Sequence, residues 1–491
     1  MIAELYTTLN KEIKQVAGDS EYFYLTKVVK DRKSQCLGNA QLIYILGNSI
    51  GLVVKVVDVL EHDIGPLPEN KGHVACLAYL TNNKVVMVDI RRGLISKPFI
   101  FQEEFTKDGN YWRITDKNNR LNIHRKIQVL DRNGLVAIIY NNLGDMYNKQ
   151  NKSKEAISVL NKAVELNPKC AYTLCSRGLQ YAKSGQYTQA LADINKSIEL
   201  DPQEAELYNN RGSVLDIMQD FNKAISDFDM AIKLKPFFPN AYRNRGTEYL
   251  KIGEYSKAIS DCSEAVKQNP KSVEAYVTRG DVYYKLGRYN EAVVDFSKAI
   301  EINPKYVDAY VNRGSAYGYS GKQLKAISDF TKVIELDPKN TKALSERGEI
   351  YSQMGEPAKA ISDCSKSIEI DPKCARAYFC RGNAYGRSGN NEKAISDYSK
   401  AIELDPKEAY AYYSRGNANL NLRKYEETIS DSSKSIELNP KYALSYFNRG
   451  IAYATLGKTE KAKSDLQKAK ELDKGLKVRV EAIYTELKLV L

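Results

Sequence analysis

The sequence predicts a mostly α-helical chain, an α-solenoid of ten helix-turn-helix units preceded by a small α+β domain. Three observations predict it. Nine prolines, Pro168, Pro202, Pro236, Pro270, Pro304, Pro338, Pro372, Pro406 and Pro440, recur every 34 residues. A fixed period of this length marks stacked supersecondary units, each too small to bury its own apolar face alone. Ten glycines, Gly144 to Gly450, keep the same phase, and between glycine and proline each unit reads as two amphipathic helices. Residues 1–134 do not follow the period.

The opening segment, MIAELYTTLNKEIK, is read as a helix over 2–17 and lacks the apolar centre of a signal peptide. Residues 34–54 carry no formal charge. Their glycines, amides and serines argue for a buried helix running into a strand rather than a membrane span. Ser34 is a candidate N-cap, and Leu37, Ala40, Ile43, Tyr44 and Gly47 follow Cys36 at helical spacing. VVKVVDV (53–59) reads as a strand. HVACLAYL (73–80) and KVVMVDI (84–90) read as a hairpin turning at Asn82-Asn83, with further short strands through Trp112. Residues 131–134 join this module to the repeats.

With each proline at position 32, the first unit starts at Ala137 and ten units run to residue 476. Position 8 is always glycine. Position 11 is tyrosine in eight units, position 20 is alanine in nine, and position 27 is small in nine. Small residues at 8 and 20 allow close helix approach, and proline at 32 ends the second helix. Units two to ten pair Arg at position 7 with Asp at position 23, as in Arg313 and Asp329; unit one replaces both, with Leu143 and Val159. Loss of both together predicts an Arg–Asp pair inside each unit. After unit ten Lys474 stands in the proline's place, and Leu476, Val480, Ile483 and Leu487 share one face of a capping helix over 477–491.

Composition excludes several function classes. The net charge of +12 is spread without a basic run, which argues against a nucleic-acid groove. Eight cysteines in 491 residues, without a CxxC, are no disulfide framework and suit a reduced, cytoplasmic setting. No metal site, cofactor or membrane partner is expected. The repeats contain no histidine and no phosphate loop, so enzyme chemistry points to the first domain.

The repeat pattern resembles the tetratricopeptide repeat. That resemblance implies a right-handed superhelix with positions 2, 5, 9, 12 and 13 of the first helix on a concave face that binds protein or extended peptide partners. In units five and six those positions include Glu274, Asp281 and Asp308. In units eight to ten they include Arg376, Phe379, Asn383, Arg387, Tyr410, Tyr413, Asn417 and Phe447, a mixture of aromatic, amide and arginine side chains suited to an interface. A row of asparagines at position 6 (Asn142, Asn210, Asn244, Asn312 and Asn448) is a second candidate, for bonding a peptide backbone. The clamp that some family members use for chaperone C-termini needs lysine where Phe379 and Tyr413 stand, so that activity is not expected.

In the first domain, Cys36 at a helix start, His73 at a strand start and Asp89 at the end of the next strand suggest a nucleophile, base and orienting acid. Their order resembles the transglutaminase-like cysteine enzymes, which implies an acyl-enzyme and then hydrolysis or acyl transfer. Leu37 and Val74 stand where aromatic residues are usual in that family, and His62 is an alternative base. A scaffold whose first domain is catalytically dead is the other reading.

Overall fold

The computed structural model describes residues 132–486 and, before them, the backbone of seven strands. These are β1 (Val54–Glu61), β2 (His73–Tyr79), β3 (Val85–Asp89), β4 (Leu94–Ile95), β5 (Phe105–Asp108), β6 (Tyr111–Ile114) and β7 (Lys126–Leu130). They form one sheet in the order β4-β3-β2-β1-β7-β6-β5, with antiparallel neighbours. The expected hairpin is present, with Cys76 opposite Val88 and Tyr79 opposite Val85. β1 is central, pairing on its other side with β7, where the register shifts between Val59 and Glu61. β7 lies beyond the strands read from sequence and leads directly into the first repeat helix. The expected helices at 2–17 and after Cys36 lie outside the described residues.

From Arg132 onward the chain is a run of helix pairs. In unit six, for example, helix A is Val307–Tyr319 and helix B is Gln323–Leu336. Unit one starts early, at Arg132, so its helix A has 18 residues against 13 in the later units. The chain divides into two compact parts at Glu248/Tyr249. Within each part the same physical devices repeat.

Helix B stops two residues before its proline. At position 31 an Asp or Asn accepts the backbone N–H of position 33 in units four to nine, at 2.9–3.2 Å. Proline lacks that donor, so the side-chain turn and the ring together end the helix. Between helices A and B, position 15 takes a left-handed conformation in all ten units: seven are glycine, and the others are Asn151 (φ 57°), Gln219 (φ 62°) and Arg423 (φ 61°).

Glycine at position 8 is forced by contact across the pair. A Cβ on Gly280 would lie 2.6 Å from Phe296 Cε1, and one on Gly382 would lie 2.7 Å from Tyr398 Cε1. Position 24 is thus the knob that fills the glycine's hole. Phe228, Phe296 and Phe330 take this role and are buried. Alanines at position 20 and the residues at position 27 are also buried, which leaves no space for larger side chains.

The Arg–Asp pair forms as a bidentate fork inside units two, three and five to ten, with N···O distances of 2.6–3.2 Å. The same arginine also donates through Nη1 to position 25 of the preceding unit: Asn161, Asn195, Asp229, then Ser or Thr from Ser263 to Ser433. Position 25 carries no fixed residue type, so this bond between units has no signature in the sequence. The guanidinium therefore joins two helices of its own unit to a third from the unit before. Tyrosines at positions 4 and 11 complete its setting; Arg313 lies 5.6 Å from the Tyr310 ring and 5.8 Å from the Tyr317 ring.

Among the described residues no helix is long and apolar enough to cross a membrane, and no group of three or more His, Cys, Asp or Glu could hold a metal ion.

Candidate functional site

The helix A residues of units six to nine line a cavity of about 840 Å³. Helix A of unit eight (Ala375–Arg387) supplies Arg376, Phe379, Asn383 and Arg387. Helix A of unit nine (Ala409–Asn421) supplies Tyr410, Tyr413 and Asn417. Seven of the eight concave-face candidates thus meet in one cavity because positions 2, 5, 9 and 13 recur on the same side of adjacent helices.

The eighth is a correction. Phe447 at position 5 of unit ten is 3 % exposed and belongs to the terminal core with Val480 and Tyr484. The capping helix Lys477–Glu486 covers it, and the Arg479 guanidinium lies 4.6 Å from its ring centre. The end of the solenoid needs that apolar side chain for its cap, so no partner can reach it. Leu476 and Val480 are buried as expected, and Tyr484 joins them; Leu487 lies outside the described residues.

The cavity wall is built before any ligand arrives. The Tyr398 hydroxyl donates to Asn383 Oδ1 at 2.9 Å, and Asn383 Nδ2 donates to Glu349 Oε2 at 3.1 Å. Glu349 also accepts from Gln353 at 3.2 Å. Arg376 reaches Glu346 at 3.6 Å. Phe379 tilts against Tyr398 at 5.8 Å, while Tyr410 and Tyr413 pack on Tyr442 at 4.7 and 4.9 Å. Burial pushes the phenols of Tyr398 and Tyr413 up from their ordinary value, so both stay neutral hydrogen-bond donors. Position 24 of unit eight, Tyr398, was not singled out from sequence. It is both the core knob against Gly382 and part of the cavity wall, a pairing set by the fold and not by its place in the period.

The asparagine row is also corrected. Four of its five amides are used between repeats instead of facing a peptide, and Asn142, in the first unit, is exposed. Asn210 donates to Cys175 Sγ at 3.3 Å, Asn244 to Asn209 at 2.9 Å, Asn312 to Asp281 at 2.9 Å and Asn448 to Asn417 at 3.3 Å. Each partner lies on helix A of the preceding unit, where an exposed peptide ladder would leave it unbonded.

Of the acidic candidates, Glu274 and Asp308 are exposed and Asp281 is largely covered. Burial pushes the Asp281 carboxyl up to about 6, against the pull of Lys342, Asn312 and Lys285, with Asp308 adding to the rise. The six repeat cysteines are free thiols, and all but Cys374 are buried. Burial drives the Cys175 thiol up to about 12, and Cys380, hydrogen-bonded to Cys364, also rises. The Cys175 and Cys380 thiols thus stay protonated, as packing groups.

In the first domain, His73 opens β2 and Asp89 closes β3, on adjacent antiparallel strands. His73 is also opposite Val59 of β1, and Asp89 opposite Leu94 of β4. Cys36 and His62 lie outside the described residues.

Family models of the tetratricopeptide repeat match residues 137–170, 239–272, 341–374 and 375–408, then 205–238 and 307–340, and then 398–429 and 433–464. A model described as a TPR repeat matches 178–215 and 280–321. Together these matches span more than half of the chain, and the chain belongs to the tetratricopeptide repeat proteins. None falls on residues 1–136. Among solved structures, a tetratricopeptide repeat protein from Parabacteroides merdae is 22% identical over 51% of this chain and 99% of its own, with a TM-score of 0.42. MamA is 30% identical over 34% of this chain and 96% of its own, with a TM-score of 0.31. YrrB, described as a TPR protein with an unusual peptide-binding site, is 25% identical over 38% and 95%, with a TM-score of 0.33. No curated protein matches the chain.

Proposed function

We propose that the protein is an interaction scaffold and that the cavity of units six to nine docks an extended segment of a protein partner. The observation that carries this reading is the convergence of Phe379, Tyr410, Tyr413, Asn383 and Asn417 on one concave volume of about 840 Å³. Aromatic walls supply apolar contact at low entropic cost, and Asn417, whose Oδ1 accepts from Asn448, turns its amide N–H donors to a peptide carbonyl, while Asn383 is held in place by Tyr398 and Glu349. Tyr410 is 49 % exposed, a large apolar surface left open at the cavity rim. The test is to pan a random twelve-residue peptide display library against the full chain. Selected peptides should lose at least tenfold in affinity when Tyr410→Ala and Asn417→Ala are combined. Peptides that bind the double variant as well as the parent chain would place docking elsewhere.

A second reading concerns the first domain: Cys36, His73 and Asp89 form a thiol acyl-transfer or hydrolase centre delivered to substrates by the solenoid. The adjacency of the strands that carry His73 and Asp89 favours it. Limiting iodoacetamide at pH 6 should label Cys36 ahead of the repeat thiols, and His73→Ala should remove that preference. Equal labelling of Cys36 and the partly exposed Cys374 ends the idea and leaves the scaffold reading intact.

A further inference from the structure

The cavity is electrically uneven along its helix axes. Arg376 and Arg387 stand at positions 2 and 13 of the same helix, roughly 16 Å apart at 1.5 Å of rise per residue. At the position-2 end carboxylates outnumber cations, with Glu346, Asp405 and Glu408 against Arg376. Arg376 is held by Glu346, Asp405 accepts the Lys407 N–H at 3.1 Å, and Glu408 accepts the Tyr410 N–H at 3.1 Å. Glu349, farther along, accepts from both Asn383 and Gln353. Every carboxylate of the lining is therefore already engaged by a donor of the chain.

The position-13 end differs. Its lining is Tyr319, Gln353, Arg387 and Asn421, with Asn391 from helix B of unit eight. It has one formal charge and no acid. Arg387 is exposed and makes no ion pair among the described residues. The carbonyls of the last helical turn offset only a fraction of its charge. A guanidinium presents a planar fork that fits a carboxylate through two parallel bonds.

We propose that this end of the cavity is a subsite for an internal Asp or Glu side chain of the docked segment, with an aromatic residue about three to five positions along that segment lying on Phe379 and Tyr410, the spacing that an extended chain needs to span the helix. This rests on the docking reading above. A side chain is favoured over a chain terminus because Arg387 is the one cation lining this end and the amides of Gln353, Asn391 and Asn421 already donate within the chain, whereas terminal carboxylates are captured by several converging donors. The opposite rim, with Asp405 and Glu408, disfavours acid there, so the subsite also fixes the direction of the segment.

The test uses the selected twelve-residue peptides, made with amidated C-termini, and the full chain. Peptides that depend on Tyr410 should be enriched in one acidic residue about three to five positions from an aromatic one. Replacing that acid with its amide, or Arg387→Gln in the protein, should weaken binding about tenfold. Arg387→Glu should reverse the preference toward peptides carrying lysine at that place. Tyr410-dependent peptides that show no acidic enrichment, or that bind Arg387→Glu unchanged, would overturn the subsite while leaving the docking reading standing. Peptides that bind only with a free C-terminus would overturn the side-chain assignment. Peptides insensitive to the Tyr410 and Asn417 variants would overturn both readings.

Discussion

Units six and nine share one backbone plan and fill it in different ways. In unit six, Phe330 is fully buried against Gly314, the Tyr317 ring lies between Arg313 and Lys325, and the turn has Gly321 in a left-handed conformation. In unit nine the corresponding residues are Ser432, Asn419 and Arg423. Ser432 is fully buried, and its hydroxyl has no partner. Asn419 donates to Asp431 at 3.1 Å, and Thr428, in the usual alanine place, bonds the Gly416 carbonyl at 3.2 Å. Unit nine has replaced aromatic packing with hydrogen bonds, yet its helices keep the same lengths and phase. Both units keep the position 8 glycine, the Arg–Asp fork and the proline turn; unit one forms its helix pair without the fork, so the glycine contact sets the repeat and the fork reinforces it. The fill tunes stability, and the softer unit carries Tyr410, Tyr413 and Asn417 of the cavity.

The largest effect should come from making unit six resemble unit nine. Phe330→Ser removes a side chain with no exposed surface and leaves a void beside Gly314. A loss of about 3–5 kcal/mol in urea denaturation is expected, as for other large-to-small core changes. A loss under about 1 kcal/mol would show that position 24 is not the anchor of the pair.

The fork comes next. Arg313→Leu leaves the buried Asp329 carboxylate without its bidentate partner and should cost about 2–3 kcal/mol, discounted from fully buried pairs because the arginine keeps 19% of its surface. Adding Asp329→Val reproduces unit one, with its Leu143 and Val159, and should recover most of the loss. Arg415→Leu in unit nine should cost less, because Asn419 still holds Asp431. Equal costs in the two units would remove the distinction between them.

Position 9 offers a pH-dependent version of the same contrast. Asp281 in unit five and Asn417 in unit nine both accept from the position 6 asparagine of the next unit. Asn417 cannot titrate. The Asp281 carboxyl is raised from 3.8 to about 6, mainly by burial; Asp308 also raises it, and Lys342 and Lys285 oppose the shift. The folded chain thus holds this proton more tightly than the unfolded one. Its contribution is complete below about pH 4 and is lost as pH rises through 6. Asp281→Asn should flatten that decline and raise the denaturation midpoint at pH 7 relative to the parent. A parent-minus-variant difference that is constant from pH 4 to 7 would contradict the shift.

What the sequence could reveal depended on repetition. Because unit one lacks both Arg and Asp, the fork was legible as a pair within one unit; the Phe379 to Asn417 cluster was placed on one face by the resemblance to the tetratricopeptide repeat. The third bond of each arginine was not, because position 25 varies among Asn, Asp, Ser and Thr and shows no signature. Phe447 misled for a related reason: it keeps the phase of a concave residue, but only the chain that follows it decides whether that phase is open. The asparagine row failed because an amide at a recurring position suits an inter-repeat bond as well as a peptide. In the first domain the strand pattern of β1 to β3 was legible from alternating β-branched residues. A triad, in contrast, depends on where Cys36 stands, and no spacing along one chain supplies that.

The smallest expected effect tests the turn. Arg423 and Gln219 hold a conformation that seven other units assign to glycine. A non-glycine residue there costs roughly 1–2 kcal/mol from contact between Cβ and the backbone, while glycine would loosen the unfolded chain by roughly 0.5–1 kcal/mol. The first effect is the larger, so Arg423→Gly and Gln219→Gly should each stabilise the chain by about 0.5 kcal/mol, measured as a higher urea midpoint at unchanged slope. The reverse change, Gly321→Arg, places its Cβ in open space, so backbone strain is the main cost at that atom. It should lose about as much as Arg423→Gly gains. If Arg423→Gly lowers the midpoint, the arginine side chain must stabilise unit nine by more than its strain. The softness of that unit would then lie in Ser432 and Asn419 alone.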